Sequence, residues 1–595
     1  MKTYINGKEL GFEPGETILS LARRHDMHIP TLCELHDIGH APGTCRVCLV
    51  EVKRPGVKEP VFVTACDTPV AEHWQVLTDS PMVREKRRLQ VELLMADHHQ
   101  DCATCSRHGN CEVLDTADYV GLRSSRFLRG TDFPMPETDD KAAIQFDQTR
   151  CIRCLRCVTM CREIQGVDAL EISGRGFANG VRFHNGFRQE ESACVACGQC
   201  VLVCPTGALG ERDDTQKVID YLADPAIKTV FQIAPAIRVG FGEEFGVLPG
   251  TNIEGQVVSA LRRIGADVVL DTNFAADLVI MEEGTEVLGK LKNREGVTFT
   301  SCCPGWINFA EKHYPEILPR LSTTRSPQQC LGSLAKSYLA EKMHVDRKQI
   351  RVISIMPCTA KKEEAARPDF TKDGLADVDI VLTLREFARL LKRQAVDLKS
   401  LEPSAFDNPL MTEYTGSAVI FGTTGGVMEA ALRTVYFVVN GKELEQVEIG
   451  AVRGKENIRT ASIDVGGDVG TVRIAVAHGL KAARELTESV LAGKAEYDFV
   501  EVMACPGGCA DGGGTLRHKK RYKKHSAERS KGLYQIDKSR KLRQSHHNEQ
   551  VQKLYAEYLG EPNSELAHDL LHTHYHNRRN EALASIKKIW DVLKA

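Results

Sequence analysis

The sequence predicts a multidomain protein of mixed α+β and α/β class, with small cysteine-rich modules in front of a large α/β domain. Three observations carry that prediction. Most of the 21 cysteines fall in the first 210 residues, in groups at short spacings. Past residue 225, short apolar runs alternate with helical patterns, as in a sheet of buried strands. The 595 residues amount to about four domains at roughly 150 residues each.

Composition narrows the class. The chain is 42% hydrophobic and 26% charged, with a formal charge of −3 and a pI of 6.7, so it has no whole-chain attraction to nucleic acid. The N-terminal MKTYINGKELGFEPGE has no apolar core and no cleavage pattern, so no signal peptide is expected. No apolar run reaches 18 residues, and the best candidate span, Ala418 to Leu432, is broken by Gly422, Gly425 and Gly426. A cytoplasmic location follows. Thiols stay reduced there, so clustered cysteines read as metal ligands rather than disulfides.

Residues 1–78 open with the strand-like YINGKEL and a helix over Glu16 to His25, with Thr17 near its start. They carry Cys33, Cys45, Cys48 and Cys66, separated by 11, 2 and 17 residues. This stretch resembles a plant-type 2Fe–2S ferredoxin domain with a longer loop; a structural zinc site is the alternative. Residues 79–120 hold a helix from Ser80 to Asp97, with Ser80 as N-cap and Pro81 in the first turn. It leads into HHQDCATCSRHGNC, where His98, Cys102, Cys105 and Cys111 suit either zinc or a cluster, and His99 is an adjacent alternative ligand.

Residues 138–212 carry the strongest pattern. Cys151, Cys154, Cys157 and Cys161 form C-x2-C-x2-C-x3-C, and Cys194, Cys197, Cys200 and Cys204 repeat it, with Pro205 following. In this bacterial two-cluster ferredoxin pattern the fourth cysteine of each run serves the other cluster. One 4Fe–4S cluster is therefore assigned to Cys151, Cys154, Cys157 and Cys204, the other to Cys194, Cys197, Cys200 and Cys161. Clusters in series make an electron wire, which must feed a site in the remaining residues.

Residues 222–515 contain the strand-like runs TVFQIAP, ADVVLD, VTFT, IRVISIM, VDIVLTL, VRIAVA and DFVEVMA. Three of them end in cysteine motifs: SCCPGW, PCTAKKEE and CPGGCADGGG. Sites in open α/β sheets form beyond the carboxyl ends of strands, so three such motifs can converge. The glycines of the last motif let backbone approach a bulky group.

TSCCPGW, MPCTAKKEE and EVMACPGGC resemble the three signature motifs of iron-only (FeFe) hydrogenases, and the cluster modules resemble those of the longer members of that family. The resemblance implies an H-cluster: a 4Fe–4S unit on Cys303, Cys358, Cys505 and Cys509, with Cys509 bridging to a diiron unit that carries CO, cyanide and a dithiolate. It makes the second group a His-ligated 4Fe–4S cluster, favouring His98 over His99. The total is then one 2Fe–2S cluster, three accessory 4Fe–4S clusters and the H-cluster. It further implies a proton relay of Cys302, Glu283, Ser322 and Glu286, with Lys290 where the family often has Arg. Lys361 would donate to a cyanide ligand; Pro235, Ala236, Gln328, Met356 and Met503 would surround the diiron unit. The expected activity is reversible interconversion of H2 with protons and electrons. Ferredoxin, an NAD(P)-linked flavoprotein or both would exchange the electrons, in a complex that could be electron-bifurcating, and maturation proteins would build the diiron unit. The alternatives are an electron-transfer subunit, a hydrogen sensor and a cluster-assembly protein. Cys330 has no role beyond that of a buried apolar residue.

The tail, residues 516–595, opens with a departure from the family. After Gly514 the usual Gln-Pro is absent, and Thr515 to Gln544 hold twelve Lys or Arg against two Asp or Glu. This run reads as a solvated face or as a docking surface for an acidic partner. Residues 535–576 read as two helices broken at Gly560–Pro562, similar to the family's small subunit fused to the chain, and 580–595 as an amphipathic helix.

Overall fold

The computed structural model describes residues 1–127, 141–176, 179–184, 188–189, 191–406 and 410–579. The helix read over 580–595 lies outside them.

The N-terminal module is a five-stranded sheet in the order Lys8–Gly11, Lys2–Ile5, Gln75–Leu77, Leu49–Lys53, Val61–Thr64. YINGKEL is two strands rather than one. Asn6 and Gly7 both take positive φ, 51° and 80°, which makes the tight hairpin turn that Asn-Gly favours. Helix Ile18–Arg24 starts at Thr17, whose side chain accepts from the Ser20 amide, and it buries Ile18, Leu21 and Ala22 against the sheet. Helix Pro81–Ala96 starts at Ser80, whose hydroxyl accepts from the Val83 amide at 3.2 Å. The module that follows is built on two antiparallel pairs, Ile144–Phe146 with Leu209–Glu211 and Leu170–Ser173 with Gly180–Phe183.

All seven strand-like runs of the large domain contain strands, but they form two sheets. One is parallel, in the order Val268–Asp271, Lys228–Ile233, Ile350–Met356, Ile380–Thr383. The other runs Thr298–Phe299, Phe499–Met503, Gly470–His478, Ile458–Gly466, with its last pair antiparallel. The second sheet shares its core with the two-run cysteine module: Trp306, Phe309 and Leu480 pack with Val195 and Val201. The glycine-broken stretch 418–432 spans the helices Gly416–Ile420 and Gly426–Asn440. Among the described residues no helix is long and apolar enough to cross a membrane.

The basic run is the main correction to the sequence reading. Much of its first half is engaged with the rest of the chain rather than forming one free solvent face or docking surface. Thr515, Leu516 and Arg517 are buried, and the Arg517 guanidinium donates to the Leu209 carbonyl at 3.0 Å. Lys519 pairs with Asp115, Arg521 with Asp37, and the Tyr522 hydroxyl donates to Gln199 at 2.6 Å. Arg517, Lys519 and Arg521 thus meet acids of the same chain several hundred residues away in sequence, while Lys520 and Lys524 stay exposed. The tail then forms helices Ser526–Ser539, Glu549–Leu554 continued by a wider turn over Tyr555–Leu559, and Glu565–Leu571. The expected break falls at Gly560, but two helices precede it where one was read: the first begins earlier, at Ser526, and ends at Ser539, and the second begins at Glu549.

Candidate active site

The three cysteine motifs meet. Strand Ile350–Met356 of the first sheet delivers Cys358; strands Thr298–Phe299 and Phe499–Met503 of the second deliver Cys302, Cys303, Cys505 and Cys509. These five thiols line one cavity of about 90 Å³ between the carboxyl ends of the two sheets. Pro235, Ala236, Gln328, Met356, Met503 and Lys361 line it too, so every residue assigned by resemblance to this pocket reaches it. Thr272, Ala276 and Phe421 also line it, and sequence reasoning had not singled them out. They are apolar or small residues whose role depends only on where the fold puts them.

The glycine-rich loop fits a bulky group by being pressed against its neighbours elsewhere. A Cβ on Gly508 would lie 2.7 Å from the Thr424 nitrogen, and one on Gly514 would lie 2.6 Å from the Cys358 nitrogen. Gly507 and Gly508 take φ of 91° and 85°, which side chains rarely tolerate. The loop can therefore present Cys505 and Cys509 at close quarters. The Ala504 amide donates to Cys303 Sγ at 3.3 Å, the kind of contact that stabilises a thiolate on a cluster. Burial pushes the free Cys358 thiol up to about 12, so a metal is what would hold it as a thiolate near neutral pH.

Lys361 is buried at the cavity wall. Its Nζ donates to Glu364 at 2.8 Å and to the Cys302 carbonyl at 3.4 Å. Burial alone would lower its pKa, but the Glu364 carboxylate outweighs this and raises it, so the ammonium stays charged. Glu364 also accepts from Gln328 Nε2 at 3.1 Å and from Ser326 at 3.0 Å, while Gln328 Oε1 has no partner. Glu364 was missed as a site residue, although it stands in the quoted motif three residues after Lys361.

Helix Thr272–Asn293 carries Glu283, Glu286 and Lys290 on one side of the pocket. The Ser322 hydroxyl donates to Glu286 at 2.8 Å, and Lys290 pairs with Glu286 at 2.7 Å. Glu283 is fully buried. Neither of its oxygens has a hydrogen bond of normal geometry, although the Ser322 hydroxyl and Ser301 amide lie near enough to favour its ionised form slightly. Burial, with the Glu286 charge adding to it, raises Glu283 to about 8. Cys302 is pushed well above its usual value by burial and then by the Glu283 charge.

The other cysteines also gather. In the N-terminal module Cys33 is within hydrogen-bonding reach of Cys45 and Cys66, and Cys48 of Cys66. His98, Cys102, Cys105 and Cys111 line a single small pocket; His99 lines it as well, but of the two histidines only His98 is buried, and its Nδ1 has no partner. The two repeated runs share an unusual backbone. φ is positive on both sides of the second cysteine: Arg153 and Leu155 around Cys154, Ala196 and Gly198 around Cys197. This curls each loop so that amides face sulfur, Arg153 to Cys151 and Ala196 to Cys194, each at 3.4 Å. Three of the four residues are not glycine, and such strain is kept where a bound group over-determines it. The charge of Cys204 reaches Cys151, Cys154 and Cys157, and that of Cys161 reaches Cys194 and Cys200. Each fourth cysteine thus sits by the other run.

Gln165 bridges this module to the cavity and was also missed. It is buried. Its Nε2 faces Cys197 Sγ at 3.4 Å and the Ala504 carbonyl at 3.0 Å, and its Oε1 accepts from the Leu480 amide at 3.2 Å. Nothing in the sequence marks it, because its partners lie 32 to 339 residues away.

The chain is similar to known proteins along most of its length. Residues 227–513 match the iron only hydrogenase large subunit, C-terminal domain, and 523–578 the iron hydrogenase small subunit. Residues 1–81 match a 2Fe-2S iron-sulfur cluster binding domain. Residues 87–126 match the NADH-ubiquinone oxidoreductase-G iron-sulfur binding region, and 142–210 the ferredoxin-like domain of NADH-quinone oxidoreductase subunit 3. The chain is 43% identical to the NADP-reducing hydrogenase subunit HndD of Solidesulfovibrio fructosivorans, over 97% of this chain and 98% of that one. It is 36% identical to iron hydrogenase 1 of Clostridium pasteurianum, over 97% and 100%. A solved FeFe-hydrogenase, HydA1 of Chlamydomonas reinhardtii, superposes with a TM-score of 0.55 at 40% identity, covering 61% of this chain and 98% of that one. A multi-cluster iron–sulfur oxidoreductase is the class that fold and site define. The chain belongs to the iron-only, or FeFe, hydrogenases. It is an enzyme of hydrogen oxidation and evolution, and its cofactors are iron–sulfur clusters, a 2Fe–2S cluster among them, and the H-cluster.

Proposed function

We propose that this chain is the hydrogen-activating subunit of a complex that exchanges electrons with an NAD(P)-linked flavoprotein, with ferredoxin as a further carrier. The similarity to an NADP-reducing hydrogenase subunit over almost the whole of both chains supports this reading. The observation that carries the activity is the convergence of three strand-end cysteine motifs on one buried cavity, with Cys302 and Glu283 leading away from it.

Cys303, Cys358, Cys505 and Cys509 would hold the H-cluster's 4Fe–4S unit, with Cys509 shared with the diiron unit. When bound, that unit supplies the metal chemistry that splits or forms H2. The chain's own residues prepare the pocket. Met356, Met503, Pro235 and Ala236 exclude water, and Lys361, fixed by Glu364, offers a charged donor to a cyanide. Protons would pass between the Cys302 thiol, Glu283, the Ser322 hydroxyl and Glu286, with Lys290 at the outer end. A Glu283 pKa near 8 lets it both hold and release a proton close to neutral pH. Electrons would run from a 2Fe–2S cluster on Cys33, Cys45, Cys48 and Cys66, and a 4Fe–4S cluster on His98, Cys102, Cys105 and Cys111, into the two-cluster module. There the cluster on Cys151, Cys154, Cys157 and Cys204 would pass them to that on Cys161, Cys194, Cys197 and Cys200, beside the cavity. The units proposed are 1–78, 79–120, 138–212, 222–515 and 516–595.

The test is H2-dependent reduction of a viologen by anaerobic protein matured with its assembly proteins, with infrared bands of CO and cyanide reporting the diiron unit. Hydrogen uptake in samples that carry those bands is the expected result. Samples with the complete bands and no uptake would overturn the activity and leave an electron conduit or a sensor.

A further inference from the structure

The tail meets the large domain at a cluster that the hydrogen chemistry does not use. His546 and His547 aim their Nε2 atoms at the same oxygen of Glu443, at 3.0 and 2.7 Å. The three ligand atoms lie within 4.8 Å of one another. Ligands about 2.0–2.2 Å from a shared zinc stand roughly 3.3 Å apart, so small side-chain rotations would admit an ion. Three features go beyond a pair of ordinary hydrogen bonds. The second oxygen, Glu443 Oε2, is buried and has no partner. The His546 ring is buried and stacked on Phe437, 4.1 Å between centroids and 10° between planes, so its direction is fixed. Its Nδ1 faces the Thr434 hydroxyl at 3.4 Å, a partner of the kind that orients a ligating imidazole.

We propose that Glu443, His546 and His547 bind a divalent transition metal, zinc by ligand type, that staples the tail segment 545–547 to the loop after helix Gly426–Asn440. Two imidazoles and one carboxylate suit zinc, and the exposed side leaves a coordination position for water. The His547 and Glu443 side chains are 41% and 39% exposed, so an ion could enter from solvent without opening the core. The staple would join positions 103 and 104 residues apart in sequence.

The test uses the anaerobic, cluster-loaded full-length protein, dialysed against Zn²⁺ and analysed for zinc and iron by mass spectrometry, beside His547→Gln and Glu443→Gln. Both substituted side chains are partly exposed, so the variants should fold and keep the wild-type iron content. The wild type is expected to hold one more zinc per chain than either variant, and only the wild type should gain thermal stability on adding Zn²⁺. Equal zinc in all three proteins at equal iron would mean adventitious surface binding only and would overturn the site. A Zn²⁺-dependent rise in stability that persists in both variants would overturn it as well.

Discussion

Glu283 concentrates the residue-scale argument. A buried carboxyl without a well-formed hydrogen bond is costly unless it is protonated, and burial raises it to about 8. Between its ordinary pKa near 4.3 and this value, the folded chain holds a proton that the unfolded chain has released. Its contribution to stability is therefore fully present below about pH 4.3 and is lost as pH rises towards 8. Glu283→Gln is neutral at every pH, so the drop in Tm from pH 5 to pH 8 should be smaller in the variant than in the wild type. An unchanged drop would contradict a protonated Glu283. As a relay member it should also be needed for turnover, and hydrogen oxidation should fall by roughly 100-fold or more in the same variant with clusters retained. The cysteines were legible because ligation demands thiols at fixed short spacings. Glu364 and Gln165 were not, because a carboxylate or an amide becomes functional only through what the fold brings to it.

At the scale of elements, the site depends on where strands stop. Ile350–Met356 was legible to the residue because five of the seven residues of IRVISIM are apolar and three of those are β-branched isoleucines, whereas Ile458–Gly466 was missed because IRTASIDVG lies on an edge and alternates with polar residues. That two sheets are present rather than one also could not be read, since register and pairing are tertiary choices. The glycine loop after Phe499–Met503 yields a direct prediction. A Cβ on Gly513 would collide with the Cys197 carbonyl and the Gly198 backbone, neither of which can rotate away. Gly513→Ala should therefore push the two-cluster module off the cavity, by a cost of roughly 1–3 kcal/mol or more. Lower Tm and reduced iron per chain are the expected readings; a wild-type iron content and Tm would refute the close docking. Gln165→Leu probes the same seam more gently. Removing an N–H that faces Cys197 Sγ should lower the potential of the cluster on that cysteine, read by EPR-monitored redox titration.

Across the whole molecule, buried charges tie the modules together. Arg156 pairs with Glu112 at 2.9 Å and donates to the carbonyls of Leu32, Cys33 and Glu34, joining three cysteine groups at one guanidinium. The tail strap from Arg517 to Tyr522 closes over the same modules. These contacts were invisible in a sequence that gave only a net charge of +10 over the run, because each partner is remote. Arg156→Met leaves Glu112 buried without its main partner, at a cost of about 3–5 kcal/mol. The variant should lose the 2Fe–2S EPR signal or become cleavable between the N-terminal modules; an intact signal and an unchanged digestion pattern would refute the tie. The modules so held are useful only if protons reach the cavity as electrons do. The central claim is thus tested most directly by hydrogen-dependent viologen reduction in Cys302→Ala beside the wild type, both fully matured and matched in iron and in CO and cyanide infrared bands. The account predicts that the variant loses nearly all activity while keeping every cluster. Activity close to the wild type, with the clusters intact, would contradict it.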